Sequence, residues 1–393
     1  MKKLEQNWKG AFVGLKEDWT VIEKVLPPGW LEAAQMTKAW RRRPRGIDDP
    51  VKLLRIMLIH LADGCSLRET AVRARAGNLA AVSDVALLKR LRNCGEWFRW
   101  MAEEMAHTLS STSTYVLPGK RVRLVDASVI CEPGATGSTW RLHYMIDLST
   151  LRCEQAQVTL PSEGETLTRF TVQPGDVLMA DRGLAHRRGI RYVKDHGGDV
   201  VVRMNLVGVP LEDNQGLPFD VLSAVRTLEV GEVGNWQTWI RDERGTLPVR
   251  VCALRKTEAQ TLKSQEKLRK TAARKNRQLQ PETLEAAGFV LVLTTLEDTD
   301  AADIMELYRY RWQIELSFKR LKSLLQLGHL KKTDPEGAKA WLQGKLFVAT
   351  LIEMLIAVGE RFSPWGYFCH ASSRTTLPLA GMGVDALFVG SGR

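Results

Sequence analysis

One stretch of this chain, YRYRWQIELSFKRLK at 308–322, carries four groups that could do chemistry together: Tyr308, Arg311, Glu315 and Lys322. An α-helix turns about 100° per residue, so steps of three, four and seven return to nearly one direction, and the four side chains fall within an arc of roughly 60°. A single carboxylate among two cations and a phenol suits a divalent metal beside a phosphodiester. Glu315 would ligate the metal while Arg311 and Lys322 hold phosphate oxygens. Mixed charge on a helix more often means ion pairs on a solvated face. Here Leu307, Trp312, Ile314, Leu316, Phe318 and Leu321 fill the other directions, which predicts a largely buried helix with one polar strip.

Two aspartates sit where a charge is expensive. KRVRLVDASVI alternates and is rich in β-branched residues, so it reads as a strand that carries Asp126. DVLMAD is an apolar strand ending at Asp181, followed by Arg182-Gly183. On one sheet the two acids would lie on neighbouring strands, and Glu315 from the later helix could close the set. Three carboxylates within a few ångströms repel one another unless one takes a proton or a cation intervenes. Magnesium removes that conflict and asks for oxygen ligands. Two ions ~4 Å apart would activate a water or a 3′-hydroxyl and stabilise the leaving oxygen of an in-line displacement.

The elements that must position these groups follow from pattern. The chain has 393 residues, 44% hydrophobic and 26% charged, which describes a folded protein with room for two or three domains. A formal charge of +11 points to a polyanionic partner, nucleic acid before membrane. The six cysteines (Cys65, Cys94, Cys131, Cys153, Cys252, Cys369) show no zinc spacing and read as reduced thiols of a cytosolic protein. Of the seven histidines only His186 and His196 fall near one another, on one short helix. MKKLEQNWKG lacks an apolar signal core, and the run Leu346–Val358 carries Glu353 and is too short for a membrane span, so it is expected to be a core helix.

Residues 1–117 read as a helical domain. Leu53, Leu54, Met57, Leu58 and Leu61 keep helical spacing after Asp49-Pro50, and Ser66 with Glu69 forms a capping box for SLRETAVRA. The two helices joined by ADGCS are compatible with a helix-turn-helix or with a plain bundle. Arg41-Arg42-Arg43-Pro44-Arg45 is either a phosphate-contacting arm or a solvated linker. Residues 118–205 form the first part of an α/β core, with KRVRLVDASVI, STWRLHYMIDL and RCEQAQVTL as antiparallel strands before DVLMAD and DVVVRM. Residues 206–288 are expected as a β-rich insertion built on VRTLEVGEV, NWQTWIRDE and LPVRVCALR. A basic helix follows from Glu258 to Gln278, either solvated or laid on phosphates. FVLVLTT opens the second part of the core, 289–361, which holds the 308–322 helix, and 362–393 is an atypical tail rich in Gly, Ser and Pro.

The spacing Tyr308-x2-Arg311-x3-Glu315-x6-Lys322 resembles the YREK signature of bacterial insertion-sequence transposases of the DDE class. Asp126 in VDAS and Asp181 in ADRG resemble the first two acids of that triad, and the similarity runs from about residue 50 to 360. It implies an RNase H-like catalytic core, a mixed sheet with flanking helices, interrupted by a mainly β insertion and preceded by an all-α DNA-end-binding domain over 1–117. It also implies cut-and-paste transposition: Mg²⁺-dependent cleavage at terminal inverted repeats, with Mn²⁺ able to substitute, and transfer of 3′ ends into target DNA. Asp126, Asp181 and Glu315 become ligands of two ions. Tyr308, Arg311 and Lys322, with Arg182 and Lys319 beside them, become contacts to double-stranded DNA. Trp236 and Trp239 are candidates to stack on a flipped base or, equally, to be strand core. A homodimer would pair two element ends at the bacterial nucleoid in the cytoplasm, without a membrane. The tail after Arg361 departs from the helical continuation that helps relatives pair subunits. Two other readings share these residues: a catalytically silent DNA-binding derivative that inhibits intact copies, and a host nuclease of RNase H-like fold.

Overall fold

The computed structural model describes residues 19–361 except 42–45, 111–115, 133, 135, 136, 138, 205, 329 and 331–333. The basic run's Arg42 to Arg45, the first eighteen residues, and the tail 362–393 with Cys369 therefore lie outside the described residues.

The described elements before the first strand are all helical: α1 (Trp30–Met36), α2 (Pro50–Leu61), α3 (Leu67–Ala76) and α4 (Asp84–Ser110). Asp49 starts α2 by accepting the Val51 N–H at 2.8 Å, with Pro50 in the first turn, where its missing donor does no harm. Ser66 caps α3 by accepting the Glu69 N–H at 3.1 Å. The reciprocal half of the expected capping box is replaced, because the Glu69 carboxylate pairs with Arg73 at 2.8 Å. One turn further along the helix, a guanidinium competes better than a backbone amide.

Eight strands form one sheet in the order β3-β2-β1-β4-β5-β8-β7-β6. They are β1 (Arg121–Ile130), β2 (Trp140–Asp147), β3 (Cys153–Thr159), β4 (Asp176–Ala180), β5 (Asp199–Arg203), β6 (Val233–Asp242), β7 (Gly245–Arg255) and β8 (Phe289–Thr294). β4 runs parallel to β1 and β5, and the remaining neighbours are antiparallel. The central β4 is buried along its whole length, as its unbroken apolar run demands when both faces are covered. α5 (Arg187–Asp195) joins β4 to β5, with His186 and His196 at its two ends rather than on one face.

The stretch 206–288 forms no sheet of its own. β6 and β7 pair with each other, and β7 with β8, so this hairpin extends the core sheet to its far edge. VRTLEVGEV is not a strand. Its Val225 closes the short helix α6 (Val221–Val225), capped by Asp220, and the following residues turn, with Glu232 N–H bonded to the Glu229 carbonyl. Only its last residue, Val233, enters the sheet, as the start of β6, with Gly231 and Glu232 bonded to Arg255 at the end of β7. Helix α7 (Glu258–Arg274) is the basic helix, followed by α8 (Pro281–Ala286).

The long C-terminal helix α11 (Pro335–Arg361) packs along α4 and touches β3. A Cβ on Gly95 would meet Ala340 Cα at 3.2 Å and Gln343 Oε1 at 2.6 Å, so only glycine lets the two helices approach this closely. Although α11 is apolar and long enough to cross a membrane, it lies against α4 and the sheet edge, where Glu353 accepts the Cys153 N–H at 3.1 Å. A ladder of rings, Trp19, Trp30, Trp97, Phe98 and Phe347, carries this core from the first helices into α11. The sheet thus lies between two apolar layers, one built with the N- and C-terminal helices and one with α5 and α6.

Candidate active site

The register pairs Val125 of β1 with Ala180 of β4, which brings Asp126 and Asp181 side by side where the second strand ends. Side chains alternate along a strand, so Asp126 follows Leu124, and Asp181 follows Met179, toward the helical layer. Across that face run α9 (Ala301–Arg309) and α10 (Trp312–Ser323). The Phe318 ring meets Tyr144 of β2 with centroids 5.7 Å apart, and Lys322 Nζ donates to the Val129 carbonyl of β1 at 3.1 Å.

The single helix expected over 308–322 is two. Tyr308 closes the first, Glu315 and Lys322 ride the second, and Arg311 stands at the junction. There the N–H groups of Tyr310, Arg311, Gln313 and Ile314 bond to carbonyls three residues back, a tighter winding than the α-helix. No proline or glycine marks the break in the sequence; the contacts that accompany it are tertiary. Arg311 Nη1 lies 3.9 Å from Asp126 Oδ2, while Nη2 pairs with Glu315. One guanidinium therefore bridges the strand acid and the helix acid.

Tyr308 is 5% exposed, and its hydroxyl has no hydrogen-bond partner. Burial pushes that phenol up to about 12, with Arg311 and Arg203 pulling down and Asp181 and Asp126 pushing up. Lys319 and Arg182 are exposed and free to meet an anion, Lys319 on α10 and Arg182 in the turn after Asp181.

Two residues of this site escape the sequence reading. Arg203 ends β5 beside Tyr308, and burial, with like charges on Arg182 and Arg311, holds it below the usual guanidinium value. A charge ending an apolar strand is the signal that picked out Asp181, and it applies equally to DVVVRM. Glu165 stands near Asp181, from a loop with no periodicity to place it. Trp236 and Trp239 are not brought here. They sit half-buried on β6, five strand spacings or roughly 24 Å from β1, because their hairpin extends the sheet away from the acids. Trp236 packs on the layer built with α5 and α6.

Among the described residues no three Asp, Glu, His or Cys side chains stand close enough to hold an ion as they are, and Glu315 is paired with Arg311. The donor chemistry nevertheless fits a hard divalent cation. All donors are carboxylate oxygens, and Asp126 is pushed up to about 7 by burial and by Asp181. A raised acid stabilises the fold only while protonated. That contribution is full below its ordinary value of about 4 and is lost as pH rises through about 7. Metal-free protein should therefore lose thermal stability over this window more steeply than Asp126→Asn, and Mg²⁺ should restore it. Parallel melting curves for the two proteins would contradict this.

A sequence profile of the transposase DDE domain matches residues 118–351. The InsL protein of insertion sequence element IS186A from Escherichia coli K12 is 36% identical over 359 residues, covering 88% of this chain and 96% of its own. The transposase of element IS421, also from Escherichia coli, is 36% identical over 360 residues with the same coverage. A solved piggyBac transposase synaptic complex with hairpin DNA aligns at a TM-score of 0.42 and 10% identity, over 93% of this chain and 85% of that one. On the domain profile and the two Escherichia coli relatives, the chain belongs to the DDE transposases of bacterial insertion sequences, metal-dependent enzymes that cut and join DNA strands.

Proposed function

We propose that Asp126, Asp181 and Glu315 are the catalytic acids of an RNase H-like core that cuts its element's terminal inverted repeats and transfers the freed 3′ ends into target DNA. The observation that carries this reading is Arg311, which bridges Asp126 on β1 and Glu315 on α10 across almost half the chain. The strand order β3-β2-β1-β4-β5, with only β1, β4 and β5 mutually parallel, supports the same core. The three acids would hold two Mg²⁺, or Mn²⁺ in their place; when bound, such ions activate the attacking oxygen and neutralise charge on the leaving one.

The chain's own residues do the rest. Arg311 holds Glu315 in the absence of DNA, and a phosphate competes for the same guanidinium. Lys322, now donating to a strand carbonyl, can turn to a phosphate oxygen with little loss. Arg182 and Lys319 are exposed for backbone contacts, and the basic helix α7 offers a longer track of the same kind. The N-terminal helices bind the repeat, with α3 as the reading helix. Two copies pair two ends, and the protein works at the bacterial nucleoid in the cytoplasm.

Incubation with a duplex bearing the element's own end should give cleavage with Mg²⁺, none with chelator, and none on a scrambled duplex. Binding without cleavage would leave a silent DNA-binding derivative; cleavage regardless of the repeat would leave a nuclease. Lys322→Ala should weaken end binding and lower the slope of log affinity against log salt by roughly one unit. An unchanged slope would remove Lys322 from the phosphate contacts.

A further inference from the structure

We propose that Arg203 holds a phosphate of the DNA strand being cut, next to the scissile one, on the β5 side of Asp126 and Asp181. This rests on the acid-site reading above and adds a substrate-holding residue to it.

The placement follows from the sheet. Val125 pairs with Ala180 and Ala180 with Val202, so Asp126, Asp181 and Arg203 come next in line on three adjacent parallel strands. Alternation sets their direction. Leu124, Met179 and Val201 belong to the apolar layer built with the N- and C-terminal helices, and the residues two further on face the same way. Val202 belongs to the opposite layer, as alternation requires. The three charges therefore form one row, neighbours ~4.8 Å apart by strand spacing. Beyond Asp126 the row continues with Tyr144, buried under the Phe318 ring. Beyond Arg203 it meets Val292 of β8 and then Cys252 of β7, both buried and uncharged. Arg203 is thus the one cation in the row, and it stands on one side of the acids.

Its donors are unspent. Arg203 is half-buried, and among the described residues it has no hydrogen-bond or ion-pair partner. Asp181, beside it in the row, is held instead by the Gly183 N–H at 2.8 Å, and Arg311 is taken by Glu315 and Asp126. Burial holds Arg203 below the ordinary guanidinium value, with Tyr308 drawing it up and the like charges of Arg182 and Arg311 adding to the lowering. A guanidinium carries five N–H donors and keeps its proton, so leaving them idle in a half-buried place is unfavourable until an anion arrives. A phosphate suits the fork, since it accepts two parallel N–H bonds, and it comes with the strand that the acids cut. With the other end of the row closed by Tyr144, this contact also fixes the side on which that strand crosses the acids.

The test pairs a change in the protein with a change in the DNA. Duplexes bearing the element's own end each carry one uncharged methylphosphonate linkage, at successive positions beside the cut. Single-turnover cleavage by the full-length protein is measured at saturating protein with Mg²⁺. For the wild type, one linkage on the cut strand should slow cleavage tenfold or more. Arg203→Gln should cut the unmodified end at least tenfold more slowly, yet lose no more than another twofold at that linkage. At the other linkages it should lose as much as the wild type. Arg203→Lys, which keeps the charge without the fork, should fall between the two. Melting in chelator shows whether each variant is folded, and Arg203→Met carries the comparison if Arg203→Gln is not. Wild-type rates from a folded variant, or losses that multiply at every linkage, overturn the assignment. Unfolding of both Arg203→Gln and Arg203→Met also overturns it, by making Arg203 a structural residue. A wild-type protein that binds its end and cuts no duplex overturns the acid-site reading, and this assignment with it.

Discussion

Replacing Asp126 or Asp181 with asparagine, or Glu315 with glutamine, is expected to drop cleavage of the element's ends by on the order of 10³-fold or more, about 4 kcal/mol of transition-state stabilisation. End binding should survive. The amide variants keep shape and most local hydrogen bonds. Asp126 accepts the Ala127 N–H at 2.7 Å and Asp181 the Gly183 N–H at 2.8 Å, and an amide oxygen can do both. What disappears is the charge that a divalent ion needs. Glu315→Gln has a further consequence, since it frees the Arg311 guanidinium from its ion pair. That variant should bind the ends as tightly as the wild type or more so while failing to cut them. Gel-shift and nicking assays on one duplex separate the two effects. Equal loss of binding and cutting in any of the three would make that residue a structural one.

The second large effect lies far from the acids. Trp97→Ala should destabilise the protein by about 3–5 kcal/mol, a substantial part of the 5–15 kcal/mol typical of a folded domain. Trp97 is fully buried, stacked between Trp30 at 6.0 Å and Phe98 at 6.2 Å, and its Nε1 donates to the Trp30 carbonyl at 2.8 Å. Truncation opens a cavity and removes the indole's hydrogen bond. Because Phe98 stacks on Phe347 of α11, the damage should reach the C-terminal helix as well as the first three. Urea unfolding followed by tryptophan fluorescence and by far-UV circular dichroism should show one earlier, coincident transition. A loss below about 1 kcal/mol, or a sheet that unfolds apart from the helices, would mean the ring ladder does not join them.

The parts of the fold legible in the sequence are those whose local pattern and final environment agree. β1, β4, β5 and β8 are largely apolar runs that the sheet buries, and α2 and α3 announce their starts with Asp49-Pro50 and Ser66. The break at Tyr310–Arg311 has no such signal, because it accompanies contacts that Arg311 and Tyr308 make with distant strands. VRTLEVGEV has strand composition, yet Val225 ends a capped helix and a turn at Glu229–Glu232 intervenes before Val233 starts β6. The pairing of Asp126 with Asp181 could be argued from two charged apolar strands, but their adjacency depended on β1 and β4 being neighbours, which only the register fixes. Glu165 is beyond reach for a plainer reason. Its nearness to Asp181 is a relation of space across a loop, and spacing along the chain does not encode it.

The most direct test of the account is the structure of the protein on a cleaved element end with Mn²⁺, located by its anomalous scattering. The ion should lie between Asp126 and Asp181 with carboxylate oxygens at roughly 2.0–2.2 Å, the range for a small hard cation. Glu315 should have left Arg311 to join it, and that guanidinium should lie on a DNA phosphate. An ion bound elsewhere, or Glu315 still paired with Arg311 while the scissile phosphate sits on another part of the surface, would contradict it.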